Sequence, residues 1–508
     1  MSSPALPADE RARYRSVPTV LEALRSPRLL VREVLAGLVV AIALVPEAIS
    51  FSIIAGVDPR VGLYSSFVMA MAIAIVGGRP AMISAATAAV AVVVAPVARE
   101  HGLDHLLATV ILGGIFQVLL AWAGVARLMR FIPRSVMVGF INSLAILIFL
   151  AQLPHLIDVP WPVYALVGGG IGLLVLTPRI TKVVPAPLVS IVLVTAVVLV
   201  FALQVPTVGD EGELPDSLPA LLVPDVPFTW ETLRLLAPYA LTMALVGLME
   251  SLMTAKLVDE ITDTRSSKTR EAWGQGVANV LSGLFGGMGG CAMIGQTMIN
   301  VKASGARTRL STFAAGFFLM VAVVGLGDLV GAIPMAALVA VMIMVSVGTF
   351  DWHSISPATL RHLPKSETFV MLATVGIVLA TQNLAIGVVG GVVIAAVLFV
   401  RRVAHFATVT RTLVEGADGE TVAHYRVDGE LLFASSNDLT TQFEYTEDPE
   451  RVVVDLSASH VWDVSSVAAL DAIVTKYAQH GKTVTIEGMN EATARFHGRL
   501  SGSLKPLA

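Results

Sequence analysis

One cysteine, Cys291, stands in 508 residues, so an internal disulfide and a cysteine-based metal cluster are both excluded. Charge is scarce too: Asp, Glu, Lys and Arg make up 14% of the chain against 55% hydrophobic residues, and the mean hydropathy is +0.77. That balance excludes an ordinary multidomain soluble enzyme and points to a polytopic α-helical membrane protein. No nucleophile–base pair, metal-ligand spacing or nucleotide loop emerges, so neither an enzymatic activity nor a metal, cofactor or nucleic-acid partner is expected. The first thirty residues carry Arg11, Arg13, Arg15, Arg25 and Arg28 but lack a short apolar core with a cleavage site. No signal peptide is therefore expected, and the first apolar run should remain as a span.

What the chain does have is apolar runs punctuated by Pro, Gly or charge, near 33–55, 60–76, 81–98, 104–126, 133–153, 161–177, 184–204, 233–257, 270–287, 291–302, 309–328, 333–349, 366–381 and 384–400. Seven precede an acidic loop at 205–232 and seven follow it. Fourteen spans fit two repeats of seven, and an odd repeat length requires the second to be inverted. With the N-terminus inside, cytoplasmic loops receive Arg79, Arg127, Arg130, Arg179, Lys182, Lys268, Arg307, Arg361 and Arg401 among others, while outer loops keep only Arg60, Arg99 and Arg234. The positive-inside rule thus places both termini in the cytoplasm of a multi-pass protein of the cytoplasmic membrane. The predicted organisation is a cytoplasmic segment over 1–32, a transmembrane domain over 33–403 and a cytoplasmic α/β domain over 404–508. In the last, strands are expected at Thr421 to Phe433, Arg451 to Leu456 and Lys482 to Glu487, with helices at Ser465 to His480 and Glu491 to Leu500.

The stretch from Gly286 to Ser311 is too short in its apolar part, Cys291 to Val301, to span hydrocarbon as a helix. Entered through Gly286, Gly287, Gly289 and Gly290, it reads as a half-helix whose N-terminus offers N–H groups and positive dipole to an anion. An echo lies upstream, where GGRPAMISAAT (Gly77 to Thr87) parallels GGMGGCAMIGQT. Paired interrupted segments in corresponding halves are the pointer to an inverted-repeat transport site.

Glu47 and Glu250 stand nearly alone within the spans, each in the first helix of its repeat. A carboxylate at the helix centre costs about 3 kcal/mol to insert, so it is expected to face a cavity and to take up a proton as it leaves water. Thr254 shares a helix face with Glu250, an arrangement that could also ligate Na⁺. Two half-helix N-termini supply only about one positive charge together. Binding an anion beside two acids therefore calls for a co-bound cation, most simply protons, which means symport. Asn142 and Asn300 read as glue between helices, and Gly168 to Gly170, Gly387 and Gly391 as close packing.

These residues carry a family likeness. PEAISFSIIAGVDPRVGLYSSF (Pro46 to Phe67) resembles the signature of the sulfate permease (SulP) family, as do LVGLMESLMTAK, GQGVANVLSGLFGG (Gly274 to Gly287) and NVKASGARTRLS (Asn300 to Ser311). YRVDGELLFASSNDL, VVVDLSASHVWDVSSVAALDAIV and GKTVTIEGMN are similar to a STAS domain. The resemblance implies seven plus seven inverted helices arranged as core and gate domains, elevator-type movement and homodimerisation. It also implies a cytoplasmic protein partner for the STAS domain and an anion such as sulfate, bicarbonate, chloride or a dicarboxylate. It places the anion between the third and tenth half-helices, around Ser84, Ala85, Ala86 and Thr87 and around Ile294, Gly295, Gln296 and Thr297. Glu250 and Thr254 match positions that ligate Na⁺ in bicarbonate-transporting members. The chain departs from the family pattern in four places: Gly295-Gln296 replaces Ser-Arg, Glu47 replaces Gln, Ile294 stands where Na⁺-linked members have Thr, and Asp463-Val464-Ser465-Ser466 replaces Asp-Ser-Ser-Gly. The first two favour proton coupling through Glu47 and Glu250, and the third weighs against Na⁺. At the fourth, a helix N-cap is the expected role, with phosphorylation of Ser465 as the rival.

Overall fold

The computed structural model describes residues 18–125, 132–180, 185–403, 408–415, 420–433, 435 and 439–501. Arg127, Arg130 and Lys182, used above for topology, lie outside these.

Each of the fourteen apolar runs meets a helix in its expected place, and two of these helices are entered through a short strand. They are α1 (Pro27–Ala55), α2 (Pro59–Val76), β1 (Ser84–Ala85) with α3 (Ala88–His101), α4 (Leu103–Trp122), α5 (Arg134–Gln152), α6 (Trp161–Ile180) and α7 (Ala186–Val200) in the first half. The second half holds α8 (Trp230–Thr262), α9 (Lys268–Leu284), β2 (Cys291–Ala292) with α10 (Ile294–Met298), α11 (Arg309–Gly325), α12 (Met335–Thr349), α13 (Lys365–Thr381) and α14 (Leu384–Val403). Prolines start α1 and α2, where a missing N–H costs nothing, and Thr or Ser side chains cap α3, α8, α9 and α11. Pro46 does not break α1, which runs on to Ala55.

The helices sort into two interlocked sets. α1 to α4 pack against α8, α9 and α11, while α5 and α6 pack against α12, with α13 on α5 and α7 on α6. α14 seats on α13 through Gly387 and Gly391, where a Cβ would come 2.1 Å from Val378 and 2.2 Å from Thr374. Gly168 and Gly169, by contrast, face open space, so close packing holds for Gly170 alone of that run. Asn142 joins α5 to the turn after α12 through Ser354 and the Asp351 N–H, and Asn300 donates to Ala81 O and Ser311 Oγ.

At the middle of the first set the two interrupted segments cross. β1 and β2 pair antiparallel, Ser84 opposite Ala292 and Ala85 opposite Cys291, so corresponding pieces of the two halves meet head to tail. Gly290 permits the approach: a Cβ there would lie 1.8 Å from the Ala85 carbonyl oxygen. The structure also revises the upstream echo. Ile83 matches Ile294 in sequence, yet Ile83 precedes β1 whereas Ile294 opens α10, and the residues that correspond in the fold are the helix caps Thr87 and Met293. The shared Ala-Met-Ile is therefore a coincidence of apolar residues, out of register with the repeat.

The chain divides into two compact units, Met1–Val392 and Val393–Ala508. In the second, β3 (Thr408–Glu415), β4 (Thr421–Leu431), β5 (Arg451–Val461) and β6 (Thr483–Glu487) form one sheet in that order, with β3 antiparallel to β4 and the rest parallel. Helices α15 (Val464–Gln479) and α16 (Glu491–Leu500) complete it. β3 was not expected, because TVTRTLVE is exposed on both faces and shows no alternation. β5 runs five residues past its expected end, held by Ser459 Oγ donating to Val427 O. Asp463, at the fourth departure noted above, is the N-cap of α15 and accepts from Ser466 N–H at 2.9 Å. Buried Asp448 gathers Arg411, Tyr425 and Tyr477, and burial of the neighbouring Tyr445 pushes its phenol up to about 12.

Candidate anion site

A cavity of about 440 Å³ opens where α1, α3, α8 and α10 face α5 and α12. One side is formed by Glu47 and Phe51 of α1, by Thr87, Ala88 and Ala89 at the start of α3, by Glu250 and Met253 of α8, and by Met293, Ile294 and Gly295 at the start of α10. The opposite wall is Phe140, Ile141, Leu144 and Ile148 of α5 with Val345, Gly348 and Thr349 of α12. No Lys, Arg or His is among the described residues that line it. Larger cavities of about 670 and 540 Å³ are lined almost wholly by apolar side chains, and one of about 480 Å³ lies beside Asp58 and Glu211; none of the three is lined by the start of either half-helix.

The polar side is built in a consistent way. The first N–H groups of α3 and α10 have no intrahelical acceptor, and their dipoles point the same positive end at the cavity. Each acid takes one side-chain donor from the tenth segment: Gln296 Nε2 to Glu47 Oε1 at 2.9 Å, and the Cys291 thiol to Glu250 Oε2 at 2.9 Å. Two wholly buried carboxylates in the same unit of the chain are fully occupied. Glu33 accepts from the N–H groups of Arg307 and Thr308 and from the Thr308 hydroxyl, and Glu271 accepts from the N–H groups of Gly78 and Arg79 and from Gln275. Glu33 and Glu271 are pinned to loop ends, whereas Glu47 and Glu250 keep capacity toward the cavity. Sequence reasoning missed the first pair because each sits at the edge of a run beside ordinary loop charges.

The expected site residues divide three ways. Glu47, Glu250, Thr87, Ile294 and Gly295 line the cavity. Gln296 acts through its bond to Glu47. Ser84, Ala85, Ala86, Thr254 and Thr297 are turned to structural duty: Ser84 Oγ accepts from Gln275 at 2.6 Å, Ala85 pairs with Cys291, Ala86 N–H donates to Ser66 Oγ, and Thr297 Oγ1 accepts from Ile83 N–H at 3.0 Å. Thr254 donates to the backbone carbonyl of Glu250 at 2.8 Å rather than toward its carboxylate. Ala88, Ala89, Cys291 and the apolar wall were not foreseen. The wall has no signal in a sequence where the spans are uniformly apolar, whereas Cys291, three residues ahead of α10, is conspicuous as the single thiol though not as a site residue.

Comparison with known proteins agrees with this architecture. The sulfate permease family model matches residues 30–165 and 161–374, and the STAS domain model matches 415–500. A Bacillus subtilis (strain 168) protein named "Putative sulfate transporter YbaR" is 52% identical over 462 residues, covering 91% of this chain and 95% of its own length. The bicarbonate transporter BicA of Picosynechococcus sp. is 24% identical over 511 residues, covering 91% and 89%. Among solved structures, SLC26A9 matches with TM-score 0.76 at 16% identity over 92% of this chain and 86% of that one. The transmembrane domain of a cyanobacterial BicA matches with TM-score 0.63 at 24% identity over 73% and 98%. The chain is thus a multi-pass membrane protein with the fourteen-helix inverted-repeat fold and a C-terminal STAS domain, and it belongs to the sulfate permease family of anion transporters.

Proposed function

We propose that this chain is a secondary active transporter of the cell membrane that carries a small anion, such as a dicarboxylate, sulfate or bicarbonate, together with protons, by elevator-type movement of one helix set past the other. The observation that carries the reading is the composition of the cavity. Two carboxylates with spare capacity and two helix starts share one space, and no basic side chain is among the described residues that line it. An anion enters such a space readily only when the acids are neutral, so proton and anion binding favour each other. Apart from Thr349, the wall of α5 and α12 is apolar, which suits a surface that slides.

Na⁺-coupled bicarbonate uptake is the second reading, favoured by the likeness to BicA and by Glu250 beside Thr254. Against it, the Thr254 hydroxyl is spent on a backbone carbonyl, and Ile294 brings no ligand. An uncoupled channel or exchanger, with the STAS domain recruiting a protein partner, leaves the two acids without a task. Homodimerisation belongs to the same proposal by family likeness. The test is uptake of labelled sulfate, bicarbonate and succinate into proteoliposomes under imposed H⁺ or Na⁺ gradients. Accumulation driven by inward protons and lost in Glu250→Gln is expected; accumulation that follows Na⁺, or ignores both gradients, would overturn the reading.

A further inference from the structure

Thr87 and Glu250 are joined through the protein's one thiol. Cys291 Sγ lies 2.9 Å from Glu250 Oε2 and 3.1 Å from Thr87 Oγ1, and the sulfur is wholly buried while both of its partners line the cavity. Thr87 in turn accepts from Val90 N–H as the N-cap of α3. Hydroxyl and thiol can each donate and accept, whereas an ionised carboxylate only accepts. The direction of the chain is therefore set by Glu250. With Glu250 ionised, the S–H must point at the carboxylate, and the sulfur takes the Thr87 hydroxyl proton, which is turned away from the cavity. With Glu250 protonated, its O–H donates to sulfur, the S–H turns to Thr87 Oγ1, and the Thr87 O–H is released toward the cavity beside the first N–H groups of α3.

We infer that Cys291 is a positioning residue that converts protonation of Glu250 into a hydroxyl donor for the anion at Thr87. The inference rests on the proton-coupled reading above and supplies its link: one proton arrives on Glu250 from water, and every other change is rotation of an O–H or S–H. Glu47 is the titratable group that faces Glu250 across the cavity from α1. The remaining titratable groups of the packed elements lie at or near helix ends: Arg28, Arg32 and Glu33 of α1; Arg99, Glu100 and His101 of α3; Asp104 and His105 of α4; Arg134 of α5; Lys268, Arg270 and Glu271 of α9; and, on α8 itself, Glu231, Arg234, Tyr239, Lys256, Asp259 and Glu260. α10 has none. The switch therefore has two acids to separate, and variants of each do so.

Because the chain has one cysteine, its S–H stretching band in the infrared reports Cys291 alone. The full-length protein in lipid should show that band moving to higher frequency on acidification, as the acceptor changes from carboxylate to hydroxyl, in step with the appearance of a protonated carboxyl band that Glu250→Gln removes. Cys291→Ala deletes the S–H band and assigns it, Glu250→Gln makes it insensitive to pH, and Glu47→Gln leaves its shift in place. An S–H band that stays fixed while the Glu250 carboxyl titrates overturns the relay and spares the proton-coupled reading. A Glu250 carboxyl that never titrates overturns both. In proteoliposomes, losing one hydrogen bond to the anion raises the KM of Cys291→Ala and of Thr87→Val about 10-fold at acidic pH and flattens its pH dependence, while Cys291→Ser keeps the slope. A merely structural cysteine would instead lower the maximal rate at every pH and leave the slope of KM intact, which also sinks the relay.

Discussion

The start of α3 and the start of α10 occupy matching places in the two halves, yet they are finished differently. α3 has 14 residues and a side-chain cap, Thr87, whose hydroxyl holds Val90 N–H. α10 has 5 residues, no side-chain cap at Met293, and passes directly into a π turn over Ile299–Ala303. Both partners of the cavity acids, Cys291 and Gln296, belong to the tenth segment. A shared backbone has been finished in two ways: the third segment is the longer helix with a side-chain cap, and the tenth is the short, uncapped piece that bonds both cavity acids. An inverted repeat supplies the crossing, and side-chain chemistry breaks its symmetry.

The division can be attacked at several points. The largest effect is expected at the crossing itself. Gly290→Val places carbon against the Ala85 carbonyl and costs about 4 kcal/mol or more, enough to prevent recovery of folded protein from the membrane. Gly295→Ala, five residues on with open space around it, should fold normally and alter only transport, read by size-exclusion profile and uptake together. Recovery of Gly290→Val in normal yield would mean the two strands do not meet as described.

Next come the acids. Glu250→Gln should abolish proton-driven accumulation while leaving downhill anion exchange measurable. Glu47→Gln should weaken coupling less, because the Gln296 amide can hydrogen-bond to either side chain. Equal loss in both would argue that the two acids act as one unit.

Exchanging the caps sharpens the comparison further. Thr87→Val removes the α3 cap at a cost of about 1 kcal/mol, and Met293→Ser adds one to α10 for a similar gain. Thermal stability of the purified protein should fall with the first and rise with the second. Transport should slow in Met293→Ser if the tenth segment has to move. The smallest effect belongs to Thr254→Val: a hydroxyl that serves only carbonyl oxygens should cost about 1 kcal/mol and leave ion dependence unchanged. Emergence or loss of Na⁺ dependence in that variant would restore the sodium reading.

The span count and the two cavity acids were legible because hydrocarbon imposes its own length scale and makes an intramembrane carboxylate conspicuous. Register was not. An echo of Ala, Met and Ile carries little information in a chain rich in those residues, and only the pairing of Ser84 with Ala292 shows how the halves align. Side-chain direction was equally hidden: Ser84 and Thr87 look interchangeable as hydroxyls three residues apart, yet one is held by Gln275 and the other lines the cavity. Cys291 drew attention for the chemistry it could not do, as a solitary thiol, while its value lies in the two bonds it makes.

The most direct test of proton–anion coupling is the pH inside liposomes that contain the purified protein and a trapped pH-sensitive dye, followed as sulfate, bicarbonate or succinate is added outside with the membrane potential clamped. Bicarbonate serves only as a control, because H⁺ and HCO₃⁻ carried in together equal CO₂ and water, and CO₂ crosses the bilayer unaided; sulfate and succinate carry the test. The account predicts that a transported anion acidifies the lumen at a rate proportional to its uptake, and that Glu250→Gln liposomes stay at constant pH. Anion entry with no change in luminal pH in the wild type, or acidification that survives Glu250→Gln, would contradict it.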